Sequence, residues 1–353
     1  MNKSFWKNKK VLVTGHTGFK GGWLTLVLLR LGAKVFGLSL REKQQSFFSL
    51  CKIKNKISKN FYCNINNYPK LKKIIKKNDP EIVFHLAAQP LVLESFANPI
   101  STLNTNIIGT ANLLNSLRFT KKIKSIVIVT SDKCYENINK KAYLEDDKLG
   151  GSDIYSASKS SSELITTAFR RSFFSNSKKK VNIATARAGN VIGGGDFAKD
   201  RIFPDIIKSY EKNKQCTIRN PSHTRPWQHV LDPISGYLRL AEKLYKSKNE
   251  KFNSAWNFGP SNENKSVKDI VNFIKGNIPL KIKKNNNKNR FNESKYLNLN
   301  SNKSKKYLNW NRELNFKRSV KMTLEWYLNS KKNKDSFEFT LKQIDEYLER
   351  YKK

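Results

Sequence analysis

Three glycines spaced three residues apart, in Gly15-His16-Thr17-Gly18-Phe19-Lys20-Gly21, follow the apolar run Lys10 to Thr14 (KVLVT) and open the apolar stretch Gly22 to Leu31. No other feature limits the possible folds as sharply. A GxxGxxG turn between a strand and a helix suits a dinucleotide pyrophosphate. The first glycine permits the tight turn, Gly18 lets the phosphates approach the backbone, and Gly21 lets the helix lie close on the strand. The helix N-terminus then offers unpaired N–H groups and partial positive charge. Such a pattern alone also fits an ordinary strand–helix turn. Its strand–turn–helix setting at the start of the chain favours a cofactor site, with all seven residues as candidate contacts and the His16 and Lys20 side chains within reach of the pyrophosphate.

The first half of the chain continues the alternation. Lys34 to Leu40, Asn60 to Ile65, Glu81 to Ala87 (EIVFHLA), Ser125 to Thr130 (SIVIVT) and Val181 to Arg187 read as strands, and Tyr68 to Lys77, Pro99 to Phe119 and Asp153 to Phe174 as helices. Strands alternating with helices predict an α/β fold with a doubly wound parallel sheet. After Asn190, Gly193-Gly194-Gly195 and Pro204, Pro221, Pro226 and Pro233 break the pattern. They predict a smaller C-terminal lobe, dividing the chain at 1–190 and 191–353, with a return to the first lobe near 226–260. Lys281 to Asn292 reads as an exposed polar loop, and the chain from Asn309 onward as helical.

The second strand ends Ser39-Leu40-Arg41, with no carboxylate before Glu42. An acid there usually holds the adenosine ribose of NAD. Arg41 suits a 2′-phosphate, so the choice between NAD and NADP stays open on sequence.

Tyr155 and Lys159 stand four apart in Tyr155-Ser156-Ala157-Ser158-Lys159, on one face of a helix. An ammonium beside a phenol favours phenolate, so the expectation is a lowered Tyr155 pKa and a usable base. The same lysine is placed to hold the nicotinamide ribose. Ser131-Asp132-Lys133 lie at the carboxyl end of the strand Ser125 to Thr130, which in a doubly wound sheet faces the ligand crevice. Tyr-xxx-Lys alone arises by chance on solvated helices; joined to the glycine turn and the polar strand end in this order, it points to oxidoreductase-type chemistry.

The net charge of +40 raises nucleic acid or an anionic membrane as a partner. Only 14 of the 68 basic residues are arginine, and the lysines are spread along the chain rather than clustered, so neither partner is expected. A polyanion-binding protein is the alternative of a different class, but it has no need of Tyr155, Lys159, Ser131 and Asp132 together. Cys51, Cys63, Cys134 and Cys216 are widely separated, which fits a reducing compartment and argues against a metal site. The polar, basic start shows no secretory signal, and no apolar run is long enough to span a bilayer; the expectation is a cytoplasmic protein.

GHTGFKG, FHLAAQPLV, NTNIIGT, TSDKCY, YSASK, ARAGNVIGGGDFAKDR and RNPSHTRPWQHVLDP occur in this order over roughly residues 5 to 330. Together they resemble the CDP-glucose 4,6-dehydratases among the extended short-chain dehydrogenases/reductases. The resemblance implies a Rossmann-type domain, bound NAD and a lyase that dehydrates CDP-glucose to the 4-keto-6-deoxy sugar, as in O-antigen deoxysugar biosynthesis. It also implies a homodimer or dimer of dimers, paired through helices such as Pro99–Phe119 and Asp153–Phe174. Ser131, Asp132, Lys133, Tyr155 and Lys159 become the catalytic group, with Asp132 as acid and Lys133 as candidate base where relatives carry a glutamate. Leu86, Ala87 and Ala88 join the cofactor contacts. Gln89, Asn190, Arg201, Arg219 and Arg225 become substrate contacts, arginine being suited to bridging two phosphates. His85 is expected to orient the cofactor loop, and His229 and Asn106 to be structural. Another nucleotide-sugar 4,6-dehydratase or a 4-epimerase of the same fold is the enzymatic alternative.

Overall fold

The structure, a computed structural model, describes the chain except for residues 137–141, 176–179, 219, 261, 262, 264, 285–297, 332–334 and 352–353. Arg219 and positions 285–292 of the polar stretch lie outside the described residues.

Val11 and Val13 face one side of their strand and Leu12 the other, and the same alternation separates Val127 and Val129 from Ile126 and Ile128. A strand apolar on both faces needs cover on both. The sheet has seven strands: β1 (Lys10–Thr14), β2 (Lys34–Ser39), β3 (Lys59–Tyr62), β4 (Ile82–His85), β5 (Ser125–Val129), β6 (Asn182–Ala188) and β7 (Ala255–Phe258), of which β3 is a less buried edge. They form one parallel sheet in the order β7-β6-β5-β4-β1-β2-β3. The helices of at least seven residues that cover it or extend the second half are α1 (Phe19–Arg30), α2 (Tyr68–Asn78), α3 (Gly109–Leu117), α4 (Ile154–Phe169), α5 (Ile202–Glu211), α6 (Leu231–Lys246), α7 (Val267–Lys275), α8 (Asn302–Leu308), α9 (Phe316–Lys331) and α10 (Ser336–Arg350). Helices α1, α6, α9 and α10 share the core on one face, and α2, α3 and α4 that on the other. The strand order turns between β1 and β4, and there the carboxyl ends open a crevice.

The long helix expected over Pro99–Phe119 is divided. A helical turn Pro99–Leu103 passes through a π-turn, Asn104–Ile108, into α3. Asn106, in this wide turn, donates from Nδ2 to the Gln89 carbonyl (3.1 Å) and to Ser158 Oγ (2.8 Å). The π-turn thus ties the loop after β4 to α4. The segment Lys281–Asn292 also departs from expectation at its start. Ile282–Lys284 pairs with Cys216–Ile218, because Leu280 and Ile282 are drawn against the apolar core. Val191–Ile192 with Gln228–His229, and Thr224–Arg225 with Lys265–Ser266, are the other small sheets.

Candidate active site

The carboxyl ends of β1 to β6 line one crevice of about 1120 Å³. Its first wall is the glycine turn. Gly15 has φ +73°, and a Cβ there would lie 2.7 Å from Ala87 N; one on Gly21 would overlap the Gly15 carbonyl. Gly18 caps α1 without any side-chain hydrogen bond, which leaves the first N–H groups of the helix to a ligand. These residues fit a dinucleotide pyrophosphate.

Thr17, Phe19 and Lys20 line the crevice with the glycines. The His16 side chain does not. It is fully buried against Phe48, with Nε2 on Asn60 Oδ1, because Gly37 lacks the side chain that would otherwise fill that socket. The expected contact of its imidazole with phosphate is therefore not formed.

Leu86, Ala87 and Ala88 line the crevice directly beside the glycine turn. Thr14 Oγ1 accepts from Leu86 N and Ala87 N, both at 3.2 Å, and lies 2.7 Å from His85 Nδ1. Thr110 donates its hydroxyl to the Asn106 carbonyl, so toward Thr110 the imidazole acts as donor from Nε2 (3.1 Å). Burial lowers the His85 pKa to about 3. The ring stays neutral and braces the cofactor loop. The Gln89 amide is turned inward, donating to the Leu91 carbonyl (3.0 Å) and Thr102 Oγ1 (2.9 Å) and accepting from Leu91 N. It does not line the crevice; holding this loop consumes both ends of the amide, which corrects its placement among substrate contacts.

At the end of β2 the crevice is lined by Ser39, Leu40, Arg41 and Glu42. Ser39 Oγ bonds Thr17 Oγ1 (2.7 Å). Glu42 accepts both its bonds from the Tyr62 hydroxyl, and Arg41 stacks on the same ring, 5.0 Å from its centre. The first carboxylate after β2 is thus held by Tyr62.

The chemistry-bearing residues converge deeper in the crevice. Asp153 caps α4 by accepting from Ser156 N (2.9 Å), which sets Tyr155 and Lys159 on its first turns. Both are buried, with the Lys159 ammonium 5.9 Å from the Tyr155 ring centre. Ser131 hydrogen-bonds Tyr155, donates to Asp132 Oδ1 (2.9 Å) and accepts from Lys133 N (3.2 Å). The one short turn therefore presents serine, aspartate and lysine opposite the tyrosine. The electrostatics differ from expectation. Burial pushes the Tyr155 phenol up to about 12, against opposing pulls from Ser131 and Arg201. Lys159 is itself buried, which lowers it to about 8. For each group desolvation outweighs the charges and hydrogen bonds around it. Burial also raises Asp132, opposed by Lys133, Ser131, Arg225 and Lys20, so this carboxyl holds its proton above the usual range. The second oxygen, Oδ2, is buried without a hydrogen-bond partner.

Asn190, Arg201 and Arg225 line the same crevice, with Arg201 acting on Tyr155 and Arg225 on Asp132. Arg201 Nη1 is 3.5 Å from Asp196 Oδ2, and Arg225 donates to the Thr224 carbonyl (2.8 Å) beside His223. Sequence reasoning missed Asp196 and Tyr237. Asp196 follows the triple glycine directly, a signal that was legible; Tyr237 lies on α6, far along the chain. His229 is buried edge-on to Trp23, in a packing role. The four cysteines are unpaired and buried. Among the described residues no helix is long and apolar enough to cross a membrane.

Comparison with known proteins follows the same lines. The model of the family described as GDP-mannose 4,6 dehydratase matches residues 12–323. A CDP-glucose 4,6-dehydratase of Salmonella typhimurium is 41% identical over 99% of this chain and 98% of its own. The human dTDP-D-glucose 4,6-dehydratase is 24% identical over 90% of each chain. Two solved structures share the fold. A dTDP-glucose 4,6-dehydratase of Bacillus anthracis in complex with NAD has TM-score 0.76 and 21% identity, over 94% of this chain and 99% of that one. A UDP-glucuronic acid 4-epimerase of Bacillus cereus, in complex with UDP-glucuronic acid and NAD, has TM-score 0.79 and 22% identity, over 91% and 99%. With the family model spanning most of the chain and the Salmonella relative nearly all of it, this chain belongs to the GDP-mannose 4,6-dehydratase family of nucleotide-sugar dehydratases.

Proposed function

We propose that this protein is a lyase that converts CDP-glucose to CDP-4-dehydro-6-deoxyglucose and water. One arrangement carries the reaction type: a buried carboxyl, Asp132, whose pKa burial raises, next to Lys133 in sequence and joined through Ser131 to Tyr155. A 4-epimerase needs only to oxidise and re-reduce carbon 4. Loss of water across carbons 5 and 6 needs an acid and a base as well. The nucleotide is taken from the Salmonella relative.

NAD, which the glycine turn from Gly15 to Gly21 would hold, would supply the hydride acceptor for carbon 4 and the donor for carbon 6. The ionised form of Tyr155, hydrogen-bonded to Ser131, receives the proton of the 4-hydroxyl, and Lys159 would hold the cofactor ribose beside it. The 4-ketone acidifies carbon 5, whose proton goes to Lys133 as the candidate base. Asp132 gives its proton to the 6-hydroxyl as the carbon–oxygen bond breaks, and the proton on Lys133 returns to carbon 5. The proton taken by Tyr155 passes to Asp132 through the Ser131 hydroxyl between them, so the balance is loss of one water with no net redox change. Asn190, Arg201 and Arg225 meet the diphosphate; the same role for Arg219 rests on its sequence motif.

Exposed Leu164 and Phe173 lie on α4 and the turn that continues it, and exposed Ile100 and Ile108 on the helical segments beside α4. They support a homodimer through this face. Four unpaired cysteines support a cytoplasmic location. The test is incubation with CDP-, GDP-, UDP- and dTDP-glucose and NAD, followed by mass spectrometry. CDP-glucose should lose one water; conversion of another nucleotide sugar in preference, or simple inversion at carbon 4, would overturn the assignment.

A further inference from the structure

Lys20 stands in the glycine turn, where an ammonium is expected to meet pyrophosphate. The groups that face it are different: Arg201, Lys159, Asp132 and Asp196 are its charged neighbours. All four line the crevice; Arg201, Asp132 and Lys159 lie around Tyr155, and Asp196 pairs with Arg201. The Lys20 Nζ sits 5.9 Å from the centre of the Tyr237 ring on α6. Two buried polar atoms on its flanks have no hydrogen-bond partner, Tyr237 Oη and Asp132 Oδ2. Tyr237 also faces Asp132. Lys20, half-buried at the crevice wall, and the buried Tyr237 and Asp132 therefore form a small group between the start of α1, α6 and the end of β5.

We propose that Lys20 is a positioning residue for the acid–base step, its ammonium setting the charge against which Asp132 gives and regains its proton, rather than a ligand of the cofactor pyrophosphate. The inference rests on the dehydratase reading above. In that step Asp132–H protonates the departing 6-hydroxyl, the carbon–oxygen bond breaks, and water leaves a carboxylate behind. That carboxylate forms in a desolvated site. The groups around it are the Lys133 ammonium, the Arg225 guanidinium and the Lys20 ammonium, with the Ser131 hydroxyl as hydrogen-bond donor and Tyr155, Tyr237 and Cys134 as weak acids. Of the three cations, only Lys20 comes from the cofactor side. The new negative charge needs a cation there, because burial otherwise penalises the ionised form. Burial lowers Lys20 itself to about 8, with Arg201 and Lys159 adding to the effect, so the cation is present at neutral pH and fades above it.

The test compares Lys20→Met and Lys20→Arg in the full-length protein. NAD affinity should change little in either. Lys20→Met should lose about 10-fold or more in turnover, a fraction of the usual general-acid contribution, and accumulate enzyme-bound NADH by absorbance. The alkaline limb of its kcat profile should move to higher pH, since an Asp132 carboxyl without its counter-charge keeps its proton longer. Lys20→Arg should restore both the rate and the limb. A titration of the Asp132 carboxyl by isotope-edited infrared spectroscopy requires no turnover and should show the same upward move in Lys20→Met. An unmoved Asp132 midpoint, or a 10-fold weaker NAD affinity without NADH accumulation, overturns the proposal. If the wild-type protein fails to dehydrate CDP-glucose, the functional reading fails instead, and the carboxyl titration still decides the role of Lys20.

Discussion

The Arg187 guanidinium lies 2.9 Å from the Glu163 carboxylate, with neither side chain more than 4% exposed. Glu163 sits one helical turn past Lys159 on α4 and also accepts from Thr130 at the end of β5 and Thr185 on β6. Arg187 donates in turn to the Tyr135 hydroxyl and the Glu145 carbonyl, both at 2.8 Å. One buried ion pair thus joins the helix that carries Tyr155 to the strand end that carries Asp132. Removing one partner leaves the other charged in a desolvated site, which costs about 3–5 kcal/mol. Glu163→Ala should lose that much stability in urea unfolding, while the double variant Glu163→Gln/Arg187→Met should lose less. Equal losses would show that the pair is not coupled.

Tyr155→Phe keeps the buried ring and removes only the hydroxyl. The fold and nucleotide-sugar binding should persist, measured by calorimetry, while turnover falls about 10²–10⁴-fold. Retention of most of the rate would transfer the carbon-4 base to another group.

Asp132→Asn and Lys133→Met should both stall after oxidation. Each variant should bind CDP-glucose, reduce its bound NAD and hold the resulting NADH, seen by absorbance, with little dehydrated sugar released. Solvent deuterium should enter carbon 5 more slowly in Lys133→Met than in Asp132→Asn. Unchanged exchange in the lysine variant would move the base to Tyr155.

Asp232, at the start of α6, supplies a pH-dependent element remote from the crevice. Burial raises its carboxyl from 3.8 to about 7, against the opposing bonds from Glu313 N and the Tyr347 hydroxyl. Between those values the folded chain binds the extra proton, so this group makes stability fall as pH rises, by about 1.4 kcal/mol per unit at most. Urea unfolding at pH 5, 6 and 7 should show the wild type losing ground steadily to Asp232→Asn. A constant gap between the two would mean that the carboxyl is already ionised when folded.

The sequence by itself determined the strand–turn–helix start, the parallel sheet and the positions of Tyr155, Lys159 and Ser131-Asp132-Lys133. These rest on local spacing: a period of two along strands, four residues along a helix, and glycine where a Cβ would strike Ala87 or the Gly15 carbonyl. Only the tertiary structure decided where side chains of long sequence separation meet. His16 and Lys20 are close in one turn, yet Gly37 draws the first into the core and Tyr237 receives the second at the crevice. Gln89 lies beside the cofactor loop in sequence, but Leu91 and Thr102 turn its amide inward. The protonation of Tyr155 and Asp132 was likewise beyond the sequence, because desolvation depends on what packs around a group, and that packing comes from distant elements such as α6 and β6.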